Sequence, residues 1–203
     1  MNEKSYLNKN GLTVKDLVTT GIFSALLCIA MFIGGIPFAV NPVTTFYTSV
    51  GSAILGGPIF LLLAAKVPKR GPIMIAGILM GLVSFVTGMH WGQCLGYVVT
   101  GVMAEFIAGS QKYKSIKINI LAYAVFCLGL TGAYLVYFAD PVSWTSSMLS
   151  NGTTQDYIDT MNAAASPFVV IMMYAATIIV GVLSGWVGKK LLKKQFEKAG
   201  ITA

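Results

Sequence analysis

Long uncharged apolar runs, separated by short clusters of charge, organise this chain. Positions 17–65, 71–104, 118–139 and 160–188 contain no Asp, Glu, Lys or Arg. A helix that crosses the hydrocarbon core needs about 20 residues. The first run therefore holds two helices, broken between Pro37 and Pro42, because proline removes a donor and constrains the residue before it. The second run, continued to Gly109, also holds two, broken at Gly88-Met89-His90-Trp91-Gly92. The last two runs hold one each. The pattern predicts helices at 17–36, 44–65, 72–88, 92–109, 118–138 and 166–188, all within one domain, an all-α integral membrane protein.

Composition agrees with that reading. Of the 203 residues, 56% are hydrophobic and only 10% charged, against about 25% in soluble domains. Mean hydropathy is +0.76. A soluble enzyme, a DNA-binding domain and a disordered tail are excluded on these grounds.

The net charge of +7 raises nucleic acid as a partner, and the placement of the charges decides against it. Every Lys and Arg falls in the N-terminal segment up to Lys15, at Lys66–Arg70, at Lys112–Lys117, or from Lys189 onward. The turns at 37–43 and 88–92 and the segment 139–165 have none. That is the signature of cytoplasmic loops under the positive-inside rule. Six spans with both termini cytoplasmic put all four basic clusters on one side. Lys4, Lys9 and Lys15 precede an apolar run too long for a signal-peptide core, so the first helix is read as retained.

The outer segment 139–165 reads as a lid-like loop in preference to a disordered linker, with Pro141 and Pro167 flanking it and Trp144 near its start. The tail at 189–203 reads as a basic helical continuation that snorkels onto anionic lipid, with a cytoplasmic partner as the other reading.

Chemistry is sparse. His90 is the one histidine and lies in an outer turn, whereas Ser184, in Gly181-Val182-Leu183-Ser184-Gly185, sits near the inner end of the last helix. A nucleophile and its base must hydrogen-bond, so the two cannot form a catalytic pair. No catalytic residue, metal site or phosphate loop is expected. Cys28, Cys94 and Cys127 lie in apolar runs at spacings that match no metal motif, and read as small buried hydrophobes. Glu105 is the only formal charge within a span; a structural ion pair with Lys112 or the Lys66–Arg70 loop, or a snorkelled carboxylate, is preferred to an ion-coupled carrier role. Small residues recur at Gly77-x-x-x-Gly81, Gly92-x-x-x-Gly96 and Gly181-x-x-x-Gly185, which let helix backbones approach closely. At the outer ends Asn41, His90, Trp91, Gln93, Tyr134, Tyr137, Asp140 and Trp144 gather as candidates for a binding pocket, beside the simpler reading of an interfacial aromatic belt.

Six helices, both termini inside, no ATPase motif and a lid-like outer loop resemble a substrate-binding S-component of an energy-coupling factor (ECF) transporter. Gly11-Leu-Thr-Val-Lys-Asp-Leu17, the turn from Lys66 to Gly71, Gly109-Ser-Gln-Lys-Tyr-Lys114, Asn119-Ile-Leu-Ala-Tyr-Ala124 and the basic tail are similar to the Trep-Strep family, small hydrophobic chains grouped with S-components. The resemblance runs from Leu12 to Lys194. It implies a bacterial plasma-membrane subunit that binds a vitamin or similar micronutrient at its outer face, has no cofactor, and docks on a transmembrane coupling protein carrying two ATPases. Docking through small residues on the first helix maps to Gly21 and Ala25, with Ser24 and Cys28 on a neighbouring stripe.

Ligand identity does not follow from the resemblance. The outer loops hold no cation for a polyanionic ligand, and Asp140, Asp156 and Asp159 favour a neutral or cationic one. Haem finds axial candidates in His90 and Met89, but its propionates meet no cation there. A self-sufficient carrier or channel with Glu105 as its ion-linked group is the alternative function.

Overall fold

Proline and glycine placement decides where each helix begins, bends and crosses its neighbours in the computed structural model, which describes residues 11–198. Lys4, Lys9 and positions 199–203 of the basic tail lie outside them. The order is α1 (Val14–Ala39), α2 (Thr48–Lys66, preceded by a 3-10 turn at Thr45–Tyr47), α3 (Pro72–Val86), α4 (Trp91–Ser110), α5 (Ile116–Cys127), α6 (Gly132–Ala139), α7 (Pro141–Ser150), α8 (Gln155–Ala164), α9 (Pro167–Leu191) and α10 (Lys193–Lys198). A 3-10 turn at Leu128–Thr131 joins α5 to α6 into one rod.

Four stretches are long and apolar enough to cross a membrane: Val14–Ala39, Thr45–Lys66, Ile116–Ala139 and Pro167–Leu191. The second and third are mostly buried inside the protein, while α1 and α9 lie at the periphery and present Ile22, Ile29, Ile33, Ile171 and Ile179 outward. Two of the six expected spans do not qualify alone. Helix α3 has only 15 residues, about 22 Å at 1.5 Å per residue. Helix α4 has 20, but Gln93 and Glu105 dilute its apolar character.

The expected break at Pro37 falls later, since α1 runs through that proline to Ala39. Neighbouring groups in a bundle re-satisfy what a helical proline frees. The same device is visible at Pro58 inside α2. A proline has no N–H for the carbonyl four residues back, here that of Ile54. Ser184 on α9 donates its hydroxyl to that oxygen at 2.6 Å and accepts the Gly57 N–H at 3.2 Å. One residue earlier, the Tyr123 hydroxyl donates to the Ala53 carbonyl. Ser184 thus completes the α2 backbone.

Glycines set the crossings. A Cβ on Gly77 would stand 2.6 Å from the Tyr97 carbonyl and 2.8 Å from Gly101 Cα, so α3 and α4 touch backbone to backbone. Gly34 meets Gly51 between α1 and α2, and Gly96 meets Gly129 and Gly132.

The start of α3 shows complete accounting of orphan donors. Gly71, at φ +114°, turns the chain in. Pro72 has no N–H, Ile75 bonds to the Gly71 carbonyl, and Ile73 and Met74 both donate to Glu105 Oε2 at 3.0 and 3.2 Å. Glu105 Oε1 accepts from the Tyr113 hydroxyl. Tyr113 reaches back because Lys112 and Tyr113 adopt φ of 52° and 62°, and Asn119 of α5 donates to the Tyr113 carbonyl. The expected ion pair at Glu105 is therefore replaced by a helix cap. The carboxylate meets the positive end of α3.

Segment 139–165 is not a loop. Asp140 caps α7 by accepting the Ser143 N–H, and Thr154 caps α8 by accepting the Tyr157 N–H. The pair forms a hairpin whose Trp144, Ile158 and Met161 are buried. At the opposite end, Lys69 pairs with Asp16 at 2.7 Å and donates to the Gly11 carbonyl, tying the start of α1 to the α2–α3 turn.

Removing the cap has a defined cost. Glu105→Ala strands two backbone donors and is expected to destabilise the protein by about 1–3 kcal/mol, whereas Glu105→Gln keeps an acceptor and loses less. Thermal unfolding in mild detergent measures both.

Candidate functional site

At the helix ends remote from the Lys69–Asp16 pair, the α7–α8 hairpin covers a cavity of about 520 Å³, within the ~300–1,000 Å³ usual for small-molecule sites. Met31 and Gly35 of α1, Thr48 and Ser52 of α2, Met80 of α3 and Tyr97 of α4 line its walls. Among the described residues, no Asp, Glu, Lys or Arg contributes to the lining.

Of the expected pocket residues, His90, Gln93, Tyr134 and Trp144 line this cavity. The other four lie elsewhere. Asn41 is exposed and accepts the Val43 N–H in the α1–α2 turn. Trp91 is 49% exposed and faces outward. Tyr137 is buried but donates its hydroxyl to Asn162 Oδ1, bracing α6 against α8. Asp140 is spent on the α7 cap, and Asp159 accepts from Gln155. With these acids off the lining, the argument for a cationic ligand loses its basis.

His90 is the N-cap of α4, and its Nδ1 accepts the Gly92 N–H at 3.1 Å. The neutral ring then carries its proton on Nε2. His90 and Trp144 are 3% and 5% exposed, and neither His90 Nε2 nor Trp144 Nε1 has a hydrogen-bond partner. Their rings stack with centroids 6.3 Å apart. Gln93 is held by its amide, which donates to Ser84 Oγ. A second polar group lies on α2 and α6, where Tyr134 donates to the Thr45 carbonyl and the Thr48 hydroxyl donates to the same oxygen. An aromatic chain from Trp144 through Tyr137 and Phe46 to Tyr134 supports both.

Sequence reasoning missed Met80, Tyr97, Met148 and Tyr157, because apolar and aromatic residues inside spans and hairpins carry no signal until helices are placed. Among the described residues no group of three or more His, Cys, Asp or Glu comes together for a metal. The expected docking residues divide between two faces: Gly21 and Ala25 are on the outward surface of α1, where a Cβ on Gly21 would meet nothing within 4 Å, while Ser24 is buried and Cys28 packs on the core.

Two hydrogen bonds hold the hairpin down. Tyr157 donates to the Ala39 carbonyl at 2.6 Å, and Asn151 donates to the Gly88 carbonyl at 2.9 Å. Tyr157→Phe and Asn151→Ala each remove one of these at about 0.5–1.5 kcal/mol. The double variant is expected to speed backbone hydrogen exchange in α7 and α8 several-fold while α2 and α5 are unchanged.

Burial lowers the His90 pKa below its usual value. The unfolded chain therefore binds a proton near pH 6.5 that the folded chain refuses. Stability is expected to be intact above that pH and to fall as the pH drops below it, a slope that His90→Gln removes in thermal melts from pH 7.5 to 5.

Residues 14–198 match the model of a family described as hypothetical bacterial integral membrane proteins (Trep_Strep). No curated protein and no solved structure matches the chain. With several apolar helices packed around glycine crossings and the family match spanning nearly its whole length, the chain belongs to this Trep_Strep family of bacterial integral membrane proteins.

Proposed function

We propose that this chain is the substrate-binding membrane subunit of an ECF-type importer, capturing a small micronutrient at the outer face of the bacterial plasma membrane. The observation that carries the reading is the uncharged cavity under the α7–α8 hairpin, with two unpartnered buried donors on its wall. A pocket covered by its own latched hairpin, in a chain without an ATP-binding loop, suits capture more than free passage.

In this reading α3 and α4 cross the membrane as an antiparallel pair, giving six spans with both termini cytoplasmic. The cavity sits at the ends of the helices remote from Lys15, Lys66–Arg70, Lys112–Lys117 and Lys189–Lys190, which supports an outward-facing mouth under the positive-inside rule. The chain works without catalytic residues and relies on a transmembrane coupling protein with two ATPases for energy. The outward face of α1 around Gly21 and Ala25 serves as the docking surface.

Glu105, the only candidate for an ion-coupled carrier, is occupied in capping α3. That disfavours the stand-alone alternative.

Native mass spectrometry of the chain purified from its host membranes in mild detergent tests the proposal. A complex with one further membrane subunit, two ATPases and a bound small molecule is expected. A bare monomer or homo-oligomer, together with uptake by the chain alone in proteoliposomes, would overturn it in favour of a self-sufficient carrier.

A further inference from the structure

Two polar clusters at the cavity differ in hydrogen-bonding sense. On the α3–α4 turn and α7, the two unpartnered groups are both donors: His90 holds its proton on Nε2 because Nδ1 is taken by the Gly92 N–H, and the Trp144 indole can only donate. On α2 and α6, Ser52 offers its hydroxyl to the cavity, while the donors of Thr45, Thr48 and Tyr134 are already spent. Tyr134 and Thr48 give theirs to the Thr45 carbonyl, and Thr45 Oγ1 pairs with the Tyr134 hydroxyl at 3.1 Å. What those hydroxyl oxygens retain is accepting capacity.

The lining between them is soft and aromatic. Met31, Met80, Met89 and Met148 share it with Tyr97 and Trp144, and thioether sulfur packs favourably at ring edges. Among the described residues no charged side chain lines the cavity to pair with an ion, and an ion buried without a partner is strongly disfavoured.

We propose that the cavity takes a neutral, planar, ring-bearing molecule whose carbonyl or ring nitrogen accepts hydrogen bonds from His90 Nε2 and Trp144 Nε1. A donor elsewhere on the same molecule, such as an amide N–H, meets the hydroxyl oxygens of Thr45, Thr48 and Tyr134. This rests on the reading of the cavity as a ligand site. It excludes ligands recognised through carboxylate or phosphate, which would bring a charge that nothing in the lining balances. It also separates the roles of His90 and Gln93: His90 meets the ligand, while the Gln93 amide donates to Ser84 and so is held against α3.

Three probes of one ring system test the assignment: 2-naphthamide, 2-naphthoate and 2-ethylnaphthalene. Each is measured by equilibrium dialysis at pH 7.5 against the full chain in lipid nanodiscs, with empty nanodiscs subtracted. The amide is expected to bind about tenfold more tightly than either of the others. Trp144→Phe and His90→Phe are each expected to weaken the amide about tenfold and leave ethylnaphthalene unchanged. Trp144→Phe keeps an aromatic ring in place and leaves the α4 cap untouched, so it remains informative if His90→Phe fails to fold. Naphthoate binding as tightly as the amide, or amide binding indifferent to Trp144→Phe, overturns the ligand class while leaving a binding cavity in place. Retention of none of the three above empty nanodiscs overturns the ligand-site reading itself, and this proposal with it.

Discussion

A helix that begins within or beside a bilayer has backbone N–H groups that water cannot reach, and in this protein one carboxylate meets that demand. Helix α3 has only 15 residues, and its first donors find their partner within the protein. Glu105 accepts two of them, Pro72 removes a third, and Tyr113 and Asn119 extend the network into the α4–α5 connection. The basic ends of α3, α4 and α5 are thereby tied at one point. Because α3 and α4 then run together with glycine against glycine, the divergence of their far ends, where the cavity opens, is set from this node.

The same accounting explains why α2 can be central despite Pro58. A proline in a water-facing helix exposes a carbonyl that solvent can satisfy. On a helix packed against α1, α5 and α9, the Ile54 carbonyl takes a donor from the protein, and Ser184 supplies it. Gly188 packs directly on Pro58, and Ser49 pairs with Thr177 farther along. Hydroxyls thus connect α2 to α9 along the length over which they pack, in a setting where apolar burial alone gives helices little reason to associate.

Much of the architecture was legible because membrane spans are written in charge-free length, which needs no knowledge of contacts. Each of the six expected helices has a helical counterpart within a few residues of its position, and four of these stretches are long and apolar enough to cross a membrane. Segment 139–165 was misjudged because its polarity outweighed its caps: Asp140-Pro141, Thr154 and Ser166-Pro167 are all helix-start signals, and each opens a helix. Glu105 was misjudged for a different reason. Its partners are backbone donors about thirty positions earlier, and no side-chain pattern announces a backbone donor. At the cavity, His90 and Trp144 stand out in sequence as rare polar aromatics. Asp140 also stands out but is consumed locally, and Met80 or Tyr97 resembles any other residue in a span until its helix is placed.

The two bonds that close the α7–α8 hairpin end on main-chain oxygens, those of Ala39 and Gly88. Closure is therefore indifferent to the side chain at position 39 and to almost everything that lines the cavity. Residues such as Met31, Met80 and Met148 are free to drift without unlatching the cover above them. A protein arranged in this way can diversify what it holds one substitution at a time, keeping the same shutter over each successive pocket.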